Sequence, residues 1–307
     1  MKKVLVIYYT QSGQLNEAVR ATLAPFENSA DVSIHYENIK PVIPFPFPWR
    51  YMEFCEVFPE TVTGVTCELH PFSFNADENY DLIIIAYQSW FLSISIPINS
   101  FLKTEEAKKV MKNKPVVTII ACRSMWLKSQ EKIKIHLKEI KANLVGNITF
   151  VDRAPNLISI VTVLAFVLSG ERGKFLGIFP KYGVSEEDLK EAPKYGEIVL
   201  KHLKTGAYSD QQKELLDAGA VHIKSNLMLL EGRGSAMFPI YAGFILKKGN
   251  SGDSNRRGRV RSFGILLPIG MLILSPIITI VSRMAPLFAS KKIKSEMEYY
   301  SQNSLRE

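Results

Sequence analysis

Six apolar residues near the start, Val4-Leu-Val-Ile-Tyr-Tyr9, run without interruption, then break into Thr10-Gln-Ser-Gly-Gln14 and a helical pattern carrying Leu15, Ala18, Val19 and Leu23. A β-branched run of this kind reads as a strand buried on both faces, the condition of a parallel sheet held between layers of helices. Strand, hydroxyl-and-glycine turn and helix start together make an anion cradle. Backbone N–H groups and small hydroxyls converge on one oxyanion, and the helix N-terminus adds favourable electrostatics. No Lys lies between Thr10 and Leu23, so the turn is not a nucleotide P-loop, whose lysine reaches the outer phosphates. Hydroxyls and amides alone suit a monophosphate.

Strands and helices alternate from there on. Residues 32–39 alternate as a second strand, 81–87 form a buried third, 115–121 a fourth and 144–151 a fifth. Residues 97–111 predict a helix with Pro97 in its first turn, 127–141 a basic amphipathic helix, and 186–203 a closing helix with Ser185 as N-cap. This order predicts an α/β fold: a doubly wound, five-stranded parallel sheet with helices on both faces and a ligand edge made of the loops after its strands. Residues 1–205 form that domain, with an insert at about 40–75, and 206–307 form a C-terminal extension.

The insert contains Pro44-Phe-Pro-Phe-Pro-Trp49, whose alternate prolines lack the donors a sheet interior needs. It reads either as an aromatic roof over an apolar ligand or as a polyproline connector packed on the core. The extension holds an apolar run at 263–281, about as long as a bilayer span, interrupted by Pro268 and Pro276. Arg256, Arg257, Arg259 and Arg261 precede it, and Lys291, Lys292 and Lys294 follow. Basic flanks on both sides predict a kinked or re-entrant segment at about 263–288 in the cytoplasmic leaflet, facing anionic lipid. A buried helix pair over the active site is the alternative. Residues 157–168 are also apolar but too short to span, and are expected to line a hydrophobic tunnel.

The net charge of +8 has no basic stripe interleaved with aromatics, so nucleic acid is not the expected partner. Cys55, Cys67 and Cys122 are three, without metal-ligand spacing, which argues against a disulfide framework and a zinc site and fits a reducing cytosol. The apolar run after Met1-Lys2-Lys3 is shorter than a signal-peptide core, so a cytoplasmic location is expected.

Three loops follow strands and agree in chemistry. After the first comes Thr10, Gln11, Ser12, Gly13, Gln14 and Leu15; after the third Tyr87, Gln88, Ser89, Trp90 and Phe91; after the fourth Cys122, Arg123, Ser124, Met125 and Trp126. Phosphate ligands at one strand end and flat aromatic walls at two others are what FMN needs, and these residues are the expected cofactor site. Each aromatic alone reads more readily as core or rim than as a cofactor wall; their joint placement carries the reading.

With these loops, the chain resembles the flavodoxin-like superfamily, which includes flavodoxins and FMN-dependent quinone or FMN reductases. The matching pieces lie within 4–15, 81–102 and 116–126, with Leu15 where the superfamily loop carries a last hydroxyl. A closer resemblance is to the dialkylresorcinol condensing enzyme family. It is carried by Gln11-Ser-Gly-Gln-Leu15, the Pro44–Trp49 stretch, Tyr87-Gln-Ser-Trp-Phe-Leu-Ser, Ser95-Ile-Pro-Ile-Asn-Ser-Phe-Leu102, Cys122-Arg-Ser-Met-Trp126, Val151-Asp-Arg153 and Leu176-Gly-Ile-Phe-Pro180. That resemblance implies a place in dialkylresorcinol lipid synthesis, beside a ketosynthase that joins two acyl chains.

Thiolase-type condensation needs a nucleophilic Cys with His partners, and none of the five histidines lies near these loops in sequence. Ring closure of two acyl chains leaves a dialkylcyclohexane-1,3-dione, which reaches the resorcinol by losing two hydrogens, a reaction suited to flavin. The sequence therefore predicts an FMN-dependent aromatase, with Arg123 stabilising the enolate and Tyr87 relaying a proton. The alternatives are a nicotinamide-dependent FMN or quinone reductase and a flavin-free membrane scaffold for the ketosynthase. Expected partners are a small hydrophobic substrate with alkyl tails and a ketosynthase or acyl carrier protein. An acidic carrier would dock on Lys128, Lys132, Lys134 and Lys138 of the basic helix, unless these simply face solvent.

Overall fold

In the computed structural model, β1 (Lys2–Tyr8) pairs in parallel with β2 (Val32–Asn38) on one side and β3 (Leu82–Tyr87) on the other. A two-stranded hairpin, β4 (Ser89–Trp90) and β5 (Ser93–Ile94), follows β3 outside the main sheet. β6 (Pro115–Cys122) and β7 (Asn143–Val151) complete five parallel strands in the order β2-β1-β3-β6-β7. This is the doubly wound, flavodoxin-like topology, with a switch point between β1 and β3. The structure describes residues 1–173 and 175–306; among these, no side chain is described at 175, 274, 275 or 277–290.

The strand period of two divides the side chains between two cores. Leu5, Ile7, Ile83, Ile85 and Tyr87 face α4 (Ile96–Leu102), α5 (Glu105–Met111) and α6 (Leu127–Ile140). Val4, Val6, Leu82, Ile84 and Ala86 face α1 (Gln14–Glu27) and α8 (Glu186–Thr205). Each fully buried Ile, Leu or Val contributes roughly 1.5–3 kcal/mol, so the continuous apolar strands are what hold the two layers on. α1 and α8 cross so closely that a Cβ on Gly196 would lie 1.8 Å from the Thr22 carbonyl oxygen.

Residues 97–111 do not form the single helix expected. Thr104 accepts the Ala107 N–H at 3.1 Å and starts a second helix, because its hydroxyl competes with helix continuation and caps instead. Ser185 caps α8 as expected, accepting the Asp188 N–H at 3.0 Å.

The insert contains α2 (Tyr51–Glu56) and α3 (Phe58–Thr63), closes on itself at an isolated antiparallel Pro41–Leu69 bridge, and is tied to β2 where the Ser73 N–H donates to Glu37 at 2.8 Å. α7 (Asn156–Ser169) follows β7, with Leu157 and Leu168 exposed. α9 (Gln211–Asp217) and the segment after it cover the outer edge of β7, where Thr149 donates its N–H to the Ala220 carbonyl at 2.8 Å. α10 (Ser225–Leu246) and α11 (Arg257–Ser301) then pack on each other and on the insert. Cys55, Phe58, Val62, Ala242, Ile245, Val260 and Phe263 make this third core.

The segment expected to be kinked or re-entrant falls within one helix, α11, which runs through Pro268 and Pro276; much of it, at 274, 275 and 277–288, lies outside the described side chains. Among the described residues, no helix is long and apolar enough to cross a membrane.

Candidate functional site at the carboxyl edge of the sheet

β1 ends at the switch point in Thr10–Gly13. Gly13 is the N-cap of α1 at φ +86°, and no side chain caps that helix. A Cβ at Gly13 would meet nothing within 4 Å, so open space faces the helix N-terminus. Thr10 Oγ1 accepts the Gly13 N–H at 3.1 Å and shapes the turn, while Gln11 donates to the Pro46 carbonyl at 2.7 Å and ties the turn to the insert. Gln14 and Leu15 turn inward. Gln14 is buried and accepts the Val184 N–H at 3.0 Å, and Leu15 is wholly buried against the α1–α8 face. Leu15 thus serves packing, which explains an apolar residue at a hydroxyl position.

Around this edge, buried side-chain oxygens lack partners: Asn16 Oδ1 in the first turn of α1, Asn38 Oδ1 at the end of β2, and Gln88 Oε1, Ser89 Oγ and Ser95 Oγ after β3. An unpartnered buried polar atom costs about 1–3 kcal/mol, so five in three adjacent strand-end segments mark a place built for a polar ligand. Ser95 is fully buried at the N-cap of α4 and does not cap it. The uncapped α1 N-terminus, the open Gly13 and these acceptors and hydroxyls fit the phosphate and the polar edge of a flavin mononucleotide.

The aromatic residues are arranged differently from the expected flat walls. Trp90 is met edge-on by Tyr9, Phe45 and Trp49, with centroids 6.0, 5.3 and 6.1 Å away. The insert therefore packs on the strand-end loop as an aromatic cluster. Phe91 and Leu92 sit at positive φ (46° and 61°) in the β4–β5 turn, where a type I′ hairpin needs left-handed residues. The strain, of order 1–2 kcal/mol per residue, accompanies a Phe91 ring placed among Phe54, Phe58 and Phe263.

Two expected site residues are core residues. Tyr87 is fully buried and donates to Gln130 Oε1 at 2.7 Å, and burial raises its phenol well above its ordinary value. A phenol raised this far above neutrality keeps its proton, so Tyr87 serves as a core contact to Gln130 and not as the expected relay. Trp126 is buried too, its Nε1 donating to the His222 carbonyl at 3.0 Å. Burial pushes the thiol of the half-buried Cys122 up, which disfavours the thiolate that a nucleophile needs.

Arg123 does stay at the edge, donating to Asn156 Oδ1 at 2.7 Å, its guanidinium destabilised by burial. Beside it lies a residue the sequence reading missed. Glu231 of α10 is 1% exposed, and its Oε1 accepts the Lys128 N–H at 2.7 Å, so it caps α6 from another helix. Burial raises its carboxyl to about 7, partly offset by that backbone bond and by the charge of Arg123. Lys224 joins the loops after β6 and β7, donating to Ser124 Oγ at 3.1 Å and to the Asp152 carbonyl at 2.6 Å. Next to it, a cleft of about 910 Å³ is lined by Val151, Arg153, His222, Lys224, Lys294 and Met297 among others. No local motif in the sequence announces Glu231 or Lys224; they arrive from the extension through tertiary contact.

The basic helix is not a free four-lysine face. Lys128 donates to Tyr300, Lys132 to the Val62 carbonyl and Ser93, and Lys134 is buried against Glu131; Lys138 alone of the four is exposed.

No family model and no curated protein matches the chain. Among solved structures, a flavoprotein in complex with FMN from Lactobacillus acidophilus NCFM is 18% identical with a TM-score of 0.38, over 48% of this chain and 93% of its own. Oxidised flavodoxin 1 from Bacillus cereus is 13% identical with a TM-score of 0.36, over 66% of this chain and 99% of its own. A flavodoxin from the domain Archaea gives the same values. The fold assignment rests on the strand order itself.

Proposed function

We propose that this chain is an FMN-binding oxidoreductase that aromatises a dialkylcyclohexane-1,3-dione to a dialkylresorcinol, with two hydrogens leaving the ring. The observation carrying the flavin assignment is the row of unpartnered buried oxygens beside the uncapped N-terminus of α1. The substrate class follows from the family resemblance of the loop sequences. Thr10, Ser12, Gly13 and the first amides of α1 would hold the phosphate, and Gln88, Ser89 and Ser95 the polar edge of the ring system. Bound flavin supplies a two-electron oxidant.

The chain's own residues handle charge and protons. Arg123, half-buried and cationic, stabilises the dione oxygen as it becomes an enolate. Glu231 accepts the acidic proton from the carbon between the carbonyls. A carboxyl near 7 is suited to that task at neutral pH. Activity should therefore rise with pH to a plateau above about 7, and Glu231→Gln should abolish that rise.

Purified protein carrying a chromophore near the usual flavin band, at about 450 nm, supports the cofactor. Anaerobic bleaching by a dialkylcyclohexanedione without nicotinamide supports the reaction. Bleaching only by NADH or NADPH would make the chain a reductase. A colourless protein that ignores added FMN would leave the scaffold reading.

A further inference from the structure

α10 and α11 are apolar on two faces. Their inner faces form the third core, with Ala242, Ile245, Val260 and Phe263 packed against Cys55, Phe58 and Val62. Their outer faces carry Met237, Ile240 and Phe244 on α10 and Ile265, Ile269 and Leu272 on α11, from 44% to 68% exposed. The spacings, i, i+3, i+7 and i, i+4, i+7, place each set on one stripe of its helix. A helix apolar all round belongs in a core or in lipid, and contiguous exposed apolar surface marks an interaction site.

Charge identifies the occupant. Between residues 232 and 290 there are eight basic side chains and a single acidic one, Asp253, which is +7 of the chain's net +8. Arg256 is neutralised internally: fully buried, it donates to Glu56 at 2.8 Å and Glu60 at 2.5 Å and fastens the hairpin to the insert. Lys247, Lys248, Arg257 and Arg261 remain exposed around the hairpin turn. Apolar stripes rimmed by unpaired cations are the chemistry of an anionic bilayer surface.

We propose that the α10–α11 hairpin lies on an anionic membrane, its outer stripes in the headgroup–acyl boundary and its turn arginines and lysines on lipid phosphates. This places the hairpin along the surface and not across the bilayer; among the described residues no helix is long and apolar enough to cross. Phe263 of α11 meets Phe91 of the strand-end loop at 6.1 Å between centroids, so the inner face of the hairpin, opposite the docked stripes, adjoins the candidate site. The docking itself does not depend on flavin.

The test is cosedimentation of the full chain with vesicles of phosphatidylglycerol and phosphatidylcholine in equal parts, against vesicles of phosphatidylcholine alone. The protein should pellet with the anionic vesicles at least about tenfold more strongly, and added salt should weaken this. The double variant Arg257→Glu/Arg261→Glu should lose more than about 25-fold, since each surface cation is worth roughly fivefold. Ile240→Glu/Ile269→Glu should lose binding with an unchanged circular dichroism melt, because both side chains are exposed. Equal binding to both vesicle types, or no binding at all, overturns the proposal. So does a wild-type dimer that ignores vesicles and is split by Ile240→Glu/Ile269→Glu, since a second copy would then own the face.

Discussion

At the scale of single residues, the carboxyl edge is defined by groups whose environments do not suit them. Glu231 is the clearest. Its ordinary value near 4.5 is raised to about 7 by burial, so between these pH values the folded protein holds a proton that the unfolded chain has released. Stability must then fall as pH rises from about 4.5 to 7, by on the order of 3 kcal/mol if the whole shift is expressed. Glu231→Gln keeps an oxygen for the Lys128 N–H and removes the ionisation. In urea melts it should match wild type near pH 5, exceed it at pH 8 and show a flattened pH slope. An unchanged slope would place the cause of pH sensitivity elsewhere.

Ser95 gives a complementary test. Its buried hydroxyl lacks a partner, so Ser95→Ala should stabilise the FMN-free protein by about 1 kcal/mol while weakening FMN binding by up to tenfold. Melts of the apoprotein and a flavin titration read the two effects separately. A loss of stability without loss of binding would show the hydroxyl to be structural.

Among the elements, attachment of the extension to the insert depends heavily on one side chain. Arg256 joins α11 to Glu56 and Glu60, whose side chains are 27% and 10% exposed while its own is wholly buried. Removing one partner of a buried ion pair leaves the others uncompensated, which typically costs about 3–5 kcal/mol, with the lower end expected here because Glu56 retains some solvent. Arg256→Ala should therefore release α10 and α11 from the insert before the sheet unfolds. Limited proteolysis would detect this as cleavage within 225–260 while the 1–205 region stays intact. Simultaneous loss of both regions would mean that the hairpin and sheet unfold as one unit.

Sequence patterning was legible where local rules act alone. The inner strands β1, β3 and β6 are near-continuous apolar runs because both their faces are covered, the edge strand β2 alternates, and Ser185 capped α8 through a bond three residues away. The split at Thr104 was missed because a Thr within an apolar-periodic stretch reads equally as interior or as cap. Tyr87 and Trp126 were misread because a strand's last residue and a helix's N-cap can turn to either layer, and only packing decides.

For the molecule as a whole, ligand binding should appear as stability. If FMN binds the native state only, a hundredfold excess over its Kd adds about 2.7 kcal/mol. A rise in melting temperature that grows with FMN concentration, and is absent with riboflavin at equal concentration, would locate the affinity in the phosphate loop. An equal response to riboflavin would move it to the ring-binding residues.

The sequence by itself determined the sheet, its parallel character, the order of its helices and the loop at the first strand end, because these follow from periodicity, capping and turn chemistry within about twenty residues of each other. Tertiary structure alone decided which side chains stand at the ligand edge. Glu231 and Lys224 reach it from a helix and a loop more than a hundred residues beyond Arg123, Leu15 and Tyr87 withdraw from it into the cores, and Trp90 is enclosed by the insert. Burial, the quantity that raises a carboxyl or isolates a hydroxyl, is a sum over neighbours from the entire chain, and no local pattern encodes it.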